Sequence, residues 1–257
     1  MSIVITIDGK ACDCEPGEYL ADIAMRNGIR IPLLCGSHKA LTGQGCCRVC
    51  VVDLVEAGRK KIVVSCVYPV SQPCEVFTAS ERIVRQRGVI LTLLRRLAPA
   101  SVAIADMARE YGAPDIESLE DVDGGGSCIL CGMCVEACRS LGARAISSVN
   151  RGVGKKISTP YDDASAACIG CGSCASVCPT ESIDVQTDND TRTIWGKSFN
   201  ILRCEICGEE IGTEESVAYA GDRAAAAEDA DEAPAKLCPK HKRRQQSRVF
   251  AGAISRR

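Results

Sequence analysis

Aromatic side chains and histidine are scarce in this chain of 257 residues. Phenylalanine, tryptophan and tyrosine together make up 4% of it and there are only two histidines, although 46% of the residues are hydrophobic. The chain therefore has enough apolar surface to form cores, but it must build them from small and aliphatic side chains. Its length favours about two domains as a starting expectation.

The sequence also lacks the features of membrane-spanning, exported and nucleic-acid-binding proteins. It has no apolar run of 18 or more residues, as a transmembrane helix would need, and its start, MSIVITIDGK, lacks the basic and apolar regions of a signal peptide. Lys and Arg number 31 against 33 Asp and Glu, whereas a nucleic-acid partner would need a basic surface. We therefore expect a cytoplasmic protein that neither binds nucleic acid nor inserts directly into a membrane.

Sequence motifs for catalysis and nucleotide binding are missing as well. The chain has no phosphate-binding P-loop, no GxGxxG fingerprint and no recognisable nucleophile–base pair. The glycines at 124–126 lead into a cysteine run, not from a strand into a dinucleotide-binding helix. We expect neither flavin nor nicotinamide to bind here, and we expect a role that is not itself catalytic.

Cysteine is the residue present in excess, with 19 copies. In a protein that is not exported the thiols lie in a reducing compartment, where a thiol-rich chain binds metal more often than it forms disulfides. An odd count also disfavours a closed set of disulfides. Because the cysteines fall into separate groups along the chain, they predict several metal-binding modules in line.

Two central cysteine runs share the spacing C-x2-C-x2-C-x3-C. In such runs one loop gives three thiolates to one 4Fe–4S cluster and the fourth cysteine reaches the other cluster. The predicted ligands of the first cluster are Cys128, Cys131, Cys134 and Cys178, and those of the second are Cys138, Cys168, Cys171 and Cys174. The alternative is a pair of zinc sites. The runs resemble the bacterial two-cluster ferredoxin domain, although Arg139 replaces its usual proline and 29 residues separate the runs.

The N-terminal cysteines lie on a different predicted scaffold. Residues 2–8 alternate as in a half-buried strand, residues 18–27 place apolar side chains on one helical face, and residues 49–55 and 61–67 predict a hairpin. This order of elements is that of a β-grasp ferredoxin. A loop and a neighbouring strand then offer the four thiolates that a 2Fe–2S cluster needs, from Cys35, Cys47, Cys50 and Cys66.

Two longer stretches extend the likeness, LLCGSHKALTGQGCCRVCVVDL and VVSCVYPVSQPCEVFTASERIVRQR. They resemble the N-terminal domain of the large iron–sulfur subunit of complex I. They are equally similar to the iron–sulfur diaphorase subunit of NAD-linked hydrogenases and formate dehydrogenases. The resemblance covers residues 1–98 and the two-cluster domain, and it implies the same four 2Fe–2S ligands. It leaves open a shift of one residue that would make Cys46 the ligand in place of Cys47.

The segment 81–122 departs from that family. Many relatives carry a His and three Cys there for a further 4Fe–4S cluster, but the stretch APASVAIADMAREYGAP contains neither. We expect a helical linker without a cluster, in which a helix from Ser80 packs through residues such as Val84, and a short helix capped by Ser101 packs through residues such as Val102. The arginines of ERIVRQR are expected on a solvated helix face.

The last ligand group has two short-spaced pairs, Cys204-x2-Cys207 and Cys238-x2-His241. This pattern predicts a tetrahedral zinc site with three thiolates and one imidazole, which would stabilise a module with little core of its own. A further iron–sulfur cluster and an empty tail are the alternatives. The basic end of the chain is expected to contact a partner subunit.

Together these patterns predict an α+β chain in four parts: a β-grasp 2Fe–2S domain (1–80), a helical linker (81–122), a two-4Fe–4S domain (123–190) and a zinc-like module with a basic tail (191–257). The resemblance implies a relay of electrons between a flavin- and NAD(P)-binding diaphorase subunit and a catalytic partner, either a NiFe hydrogenase or a formate dehydrogenase. Electron bifurcation, the direction of flow and the choice of NADH or NADPH stay open. A free-standing ferredoxin-like carrier and a purely structural zinc protein are the alternatives.

Overall fold

The computed structural model describes residues 2–36, 44–122, 125–225 and 236–244. The chain divides into two compact units. Unit 1 comprises Met1–Ala137, Ser148–Ile157 and Cys174–Ser182, and unit 2 comprises Cys138–Ser147, Ser158–Ser173 and Ile183–Arg257. In the described ranges no helix is both long and apolar enough to cross a bilayer. The basic tail after residue 244 lies outside them.

Unit 1 begins with a five-stranded sheet. Its elements in chain order are β1 (Ile3–Ile7), β2 (Lys10–Cys14), helix α1 (Leu20–Arg26), β3 (Val51–Glu56), β4 (Arg59–Val64) and β5 (Glu75–Phe77). The strands lie in the order β2-β1-β5-β3-β4, with β1 and β5 parallel and the other neighbours antiparallel. Ile5 is buried and Val4 is exposed, as the alternation along the first strand predicts.

The predicted hairpin forms, but its second strand ends earlier than expected. β4 stops at Val64, and Ser65–Val67 form a 3₁₀ turn that carries Cys66. The backbone N–H of Ser65 donates to the carbonyl of Cys50 at 3.2 Å, which brings the turn back to the start of β3. The periodicity of residues 61–67 did not reveal this turn because the turn depends on a backbone hydrogen bond to Cys50, which is distant in sequence.

Two helices follow the sheet, α2 (Glu81–Leu97) and α3 (Val102–Glu110). Ser80 and Ser101 cap them, each accepting a hydrogen bond from the backbone three residues on, at 3.3 Å. The predicted cap at Ser101 is therefore confirmed. Two packing predictions are wrong, because Val84 is 45% exposed and Val102 is 73% exposed.

The start of α2 is tied to the sheet by a buried carboxylate. The side chain of Asp53 on β3 is fully buried; it accepts from the hydroxyl of Ser80 and forms an ion pair with Arg82. Lys60 lies 3.4 Å from the same carboxylate. Burial opposes ionisation of Asp53, but the hydrogen bonds from Ser80 and Arg82 outweigh it, so the pKa of this carboxyl is lowered.

The middle of the chain contributes short elements. They are α4 (Met133–Leu141), β6 (Ser147–Val149), β7 (Lys156–Ser158) and α5 (Ser173–Ser176), with β6 paired to β7.

Unit 2 contains a four-stranded antiparallel sheet, ordered β11-β10-β9-β8. The strands are β8 (Val185–Thr187), β9 (Thr191–Ile194), β10 (Lys197–Arg203) and β11 (Glu210–Thr213), and helix α6 (Glu214–Ala225) follows. The sheet crosses position 190, so the first strand belongs to the predicted two-cluster range and the rest to the predicted zinc-like module. Phe199 and Ile194, both nearly inaccessible to solvent, form its core.

Candidate metal centres

Four N-terminal cysteines come together in unit 1. Cys47 and Cys50 lie on the segment that leads into β3, and Cys66 lies in the turn after β4. With Cys35 they are all buried, none more than 6% exposed. Hydrogen bonds to sulfur link Cys35 to Cys47 and Cys66, and Cys66 to Cys50. These bonds lower the pKa of Cys35 and raise that of Cys66. Four converging sulfurs fit the all-thiolate donor set of a 2Fe–2S cluster.

Cys46 lies apart from this group. Its side chain is exposed, and its thiol donates to the carbonyl of Gln44 at 3.4 Å. Its neighbour Cys47 is 5% exposed and forms a hydrogen bond with the sulfur of Cys35. Between the two adjacent cysteines, the geometry therefore favours Cys47 as the ligand.

A buried arginine contacts the backbone on both sides of Cys50, one of the four N-terminal cysteines described above. Arg87 of α2 is 3% exposed and donates hydrogen bonds to the carbonyls of Val49 at 3.0 Å, Val51 at 2.9 Å and Thr78 at 3.1 Å. Its guanidinium also lies over the ring of Tyr111, 5.3 Å from the centroid. In the part of the chain that the structure describes, no carboxylate forms an ion pair with Arg87. The prediction that the ERIVRQR arginines lie on a solvated face is wrong for this one.

The positive charge of Arg87 lies near Cys50, one of the predicted 2Fe–2S ligands. Burial lowers the pKa of this guanidinium, and the charges of Tyr111 and Cys50 oppose this shift without reversing it. An arginine stays protonated at any physiological pH. Its two bonded carbonyls at 49 and 51 flank Cys50, so Arg87 both fixes this part of the backbone and brings a cation to it.

The first predicted 4Fe–4S group also lies within unit 1. Cys131 and Cys134 are buried, and Cys128 and Cys178 are half-buried. Burial, with the charges of Cys178 and Cys128, raises the pKa of Cys131 to about 11. Burial and the charges of Cys131 and Cys128 raise the pKa of Cys134 to about 12. Buried thiolates that repel one another need a bound cation, which fits a thiolate-ligated cluster.

Backbone N–H groups point at the sulfurs of this group. Leu130 donates to Cys128 at 3.4 Å, and Ser182 donates to Cys178 at 3.3 Å. Leu130 reaches this position with a φ of 54°, beside Gly132 at 78°. Hydrogen bonds to cluster sulfurs are one of the means by which a protein sets the reduction potential.

The cysteine groups of unit 1 adjoin one another. Cys35, Cys47 and Cys131 belong to one buried core, to which Leu91 and Ile104 of the linker helices also contribute. The charge of Cys35 raises the pKa of Cys131, and the charge of Cys174 raises that of Cys134. The helices of the linker segment thus pack against the first two cysteine groups.

Three of the four predicted ligands of the second 4Fe–4S cluster lie in unit 2. Burial and the charges of Cys171 and Cys138 raise the pKa of Cys168, so Cys168 lies near both of these thiols. The backbone N–H of Ala145 donates to the sulfur of Cys138 at 3.2 Å. Cys174 belongs to unit 1. The assignment of all four to one cluster stays a prediction.

The last group, which we call the C-terminal ligand group, is a compact set of four ligand atoms. Cys204, Cys207, Cys238 and His241 each offer one atom, and these lie within 4.8 Å of one another. The sulfurs of Cys207 and Cys238 are 3.8 Å apart, and the Nδ1 of His241 lies 3.5 Å from the sulfur of Cys204 and 3.2 Å from that of Cys238. Backbone N–H groups of Cys238, Cys207 and Ile206 lower the pKa of Cys204 to about 6.

These distances fit a single tetrahedral ion. Zn–S bonds of about 2.3 Å and Zn–N bonds of about 2.0 Å place two tetrahedral sulfurs about 3.8 Å apart, and a sulfur and a nitrogen about 3.5 Å apart. A cuboidal cluster would need a wider spacing because each sulfur binds a different iron. The geometry therefore favours one mononuclear ion over a further 4Fe–4S cluster.

Apart from Cys46, the thiols outside the ligand groups are packing residues. Cys12 and Cys14 lie on the buried face of β2 and share a core with Cys74. Cys14 donates to the carbonyl of Ile3 at 3.5 Å. Each is at most 9% exposed.

Two family descriptions match this chain. A 2Fe–2S iron–sulfur cluster binding domain matches residues 1–81, and a 4Fe–4S dicluster domain matches residues 127–182. The chain therefore contains one region of the 2Fe–2S type and one of the 4Fe–4S dicluster type. The predicted α+β class with these two ferredoxin-type domains is confirmed, and the second match contains both four-cysteine runs.

Two relatives of this chain have names that refer to NADPH or NADP. The chain is 31% identical over 233 residues to the NADPH-Fe(3+) oxidoreductase subunit alpha of Geobacter sulfurreducens, a match of 80% of this chain and 26% of the relative. It is 27% identical over 266 residues to the NADP-reducing hydrogenase subunit HndD of Solidesulfovibrio fructosivorans, a match of 87% of this chain and 44% of the relative. The chain thus spans less than half the length of either relative. The predicted resemblance to iron–sulfur subunits of NAD(P)-linked hydrogenases is confirmed.

A solved structure shows the same fold. A chain from the crystal structure of an NAD+-reducing [NiFe]-hydrogenase in the H2-reduced state aligns with a TM-score of 0.60 and 24% identity. The alignment covers 71% of this protein and 86% of that chain.

Proposed function

We propose that this protein is a non-catalytic electron-transfer subunit of an NAD(P)-linked hydrogenase complex. It relays electrons between a flavin- and NAD(P)-binding subunit and a hydrogenase subunit. One observation carries the proposal: the cysteine groups of unit 1 form an uninterrupted series, in which Cys35 adjoins Cys131 and Cys134 adjoins Cys174. A protein that stores or senses a single cluster has no need of such a series.

The proposed cofactors are one 2Fe–2S cluster and two 4Fe–4S clusters. Bound clusters of these types supply one-electron redox chemistry. Cys35, Cys47, Cys50 and Cys66 hold the first, and the two central runs hold the others with the crossed fourth ligands predicted above. The chain's own residues bury the sulfurs, donate N–H groups to them and, through Arg87, bring a positive charge near Cys50.

The proposed partner subunits are inferred from the names of the relatives. The proposed site of action is the cytoplasm. A hydrogenase is favoured over a formate dehydrogenase because the relatives and the solved structure described above include hydrogenases. NAD(P)H gives up two electrons as a hydride, whereas an iron–sulfur cluster accepts one electron at a time, so a flavin must stand between them. The described residues of this chain present no nucleotide-binding motif, and the flavin is therefore proposed to bind to a partner subunit.

The C-terminal ligand group is proposed to hold one structural zinc ion. Four N and S donors at tetrahedral spacing, with Cys204 and Cys238 nearly inaccessible to solvent, leave no open position for a substrate.

The test is performed on the native complex. The chain is tagged at its natural locus, purified anaerobically, and its co-purifying subunits are identified by mass spectrometry. The complex is then treated separately with NADH, NADPH, H2 and formate, and cluster reduction is followed by EPR. Reduction by H2 and by one nicotinamide supports the proposal. Reduction by formate but not H2 would assign the chain to a formate dehydrogenase, and isolation as a lone monomer would assign it to the free carriers.

A further inference from the structure

Three consecutive carbonyls of a cluster loop are held by three strands of the C-terminal sheet. The loop is 168–170, which begins with the first predicted ligand of the second run. Each carbonyl accepts one side-chain hydrogen bond, and the pairs are Lys197 to Cys168 at 2.9 Å, Thr213 to Ile169 at 2.5 Å, and Arg192 to Gly170 at 3.2 Å. The donors come from β10, β11 and β9 in turn. A loop held at every carbonyl has little freedom to move its sulfurs.

An aromatic ring completes this contact. Gly170 has a φ of +67°, and a Cβ atom at this position would lie 2.6 Å from the ring of Phe199. The ammonium of Lys197 lies 4.6 Å from the centroid of the same ring. Arg192 also pairs with Glu210 of β11, so it joins the loop to two strands. The loop therefore rests on the face of the sheet and is not merely near it.

The C-terminal ligand group lies at the other end of the same hairpin. Cys204 directly follows β10, and its backbone N–H donates to the carbonyl of Glu209 at 2.8 Å, just before β11. Thr213 ends β11; it is fully buried, and its hydroxyl also accepts from the backbone N–H of Ser216 at the start of α6 at 3.2 Å. An ion bound at Cys204 thus fixes the hairpin whose far end holds the loop.

We propose that the metal-bound C-terminal sheet is a clamp that keeps the ligand loop 168–170 in position, so that the ion at the C-terminal ligand group controls retention of the second 4Fe–4S cluster. This clamp rests on the cluster and zinc assignments made under the proposed function. Lys197, Thr213 and Arg192 are positioning residues, since they act on the loop backbone and not on the cluster itself. The C-terminal module thereby has a task inside the relay.

Three substitutions, two of them a matched pair at Thr213, test the clamp in the full-length chain within its complex. Thr213→Val keeps the shape of the side chain but removes the donor to Ile169, whereas Thr213→Ser keeps the hydroxyl. His241→Ala removes one ligand of the ion, at a distance from the loop in sequence. Iron and zinc are counted, EPR resolves the three clusters, and release of iron to a chelator is timed.

The clamp predicts that Thr213→Val releases iron from the second cluster about tenfold faster than the unmodified chain, because a buried carbonyl loses its partner. Thr213→Ser releases it at the unmodified rate. His241→Ala loses zinc and also releases that iron faster, while the 2Fe–2S signal is retained. Unchanged iron release in a His241→Ala chain that has lost zinc would overturn the clamp alone. An unmodified chain without 4Fe–4S signals would instead overturn the proposed function, and the clamp with it.

Discussion

Replacement of Arg87 by methionine removes a buried cation from the vicinity of the 2Fe–2S group. Hydrogen bonds to the carbonyls on both sides of Cys50 place the guanidinium within about 8 Å of its sulfur. A unit charge at that distance is worth about 2 kcal/mol at an effective dielectric constant of about 20. For a one-electron couple this corresponds to about 90 mV. Because reduction adds a negative charge that the cation stabilises, Arg87→Met should lower the 2Fe–2S potential by roughly this amount.

The potential is measured by redox titration followed by EPR. Arg85→Met is the matched control, since it removes the same charge from the same helix at a side chain that is 78% exposed and paired with Glu81. Arg87→Lys keeps the charge while losing the forked hydrogen bonds, so it separates electrostatics from positioning. An Arg87→Met shift no larger than that of Arg85→Met, in a chain with full iron content, would refute the reasoning.

Three further predictions concern single side chains. Asp53→Asn should lower the free energy of unfolding of the β-grasp domain by about 1.5–3 kcal/mol near neutral pH, because charge-assisted hydrogen bonds are lost. Since folding lowers the pKa of Asp53, this difference should persist above about pH 5 and shrink as the pH falls below about 4. Urea unfolding at several pH values measures it. Cys46→Ser should leave the 2Fe–2S EPR signal intact and Cys47→Ser should abolish it, and the opposite outcome would shift the ligand register by one residue. Gly170→Ala should cause loss of the second 4Fe–4S cluster, because the added Cβ would lie 2.6 Å from the ring of Phe199. Gly196→Ala has a similar φ of +71° but nothing near its Cβ position, so it should retain the cluster. Iron counts distinguish the two variants.

The cysteine spacing and the strand periodicity predicted much of this molecule. The two C-x2-C-x2-C-x3-C runs indicated a dicluster domain because the spacing of thiolates on one loop is a local property of the sequence. The cap at Ser101 was likewise predicted from local chemistry. Each of these features depends on residues that are close along the chain.

Features that depend on distant residues were missed. Arg87 looks like one more charge on a polar helix face, and only the arrival of the carbonyls at 49, 51 and 78 shows that it is buried. The contact of Thr213 with Ile169 joins residues 44 positions apart. The predicted boundary at 190 follows the cysteine groups, whereas one sheet runs from β8 to β11 across it. Sequence periodicity cannot predict which surfaces a short strand or a lone donor will meet.

The electron-relay function is tested by measuring metal content together with EPR. About ten iron atoms and one zinc per chain are expected, from one 2Fe–2S cluster, two 4Fe–4S clusters and the C-terminal ligand group. Three distinct signals are expected on stepwise reduction of the anaerobically purified complex. Zinc as the main metal, with few iron atoms and no signal in the reduced state, would contradict the relay and return the cysteine runs to structural zinc sites.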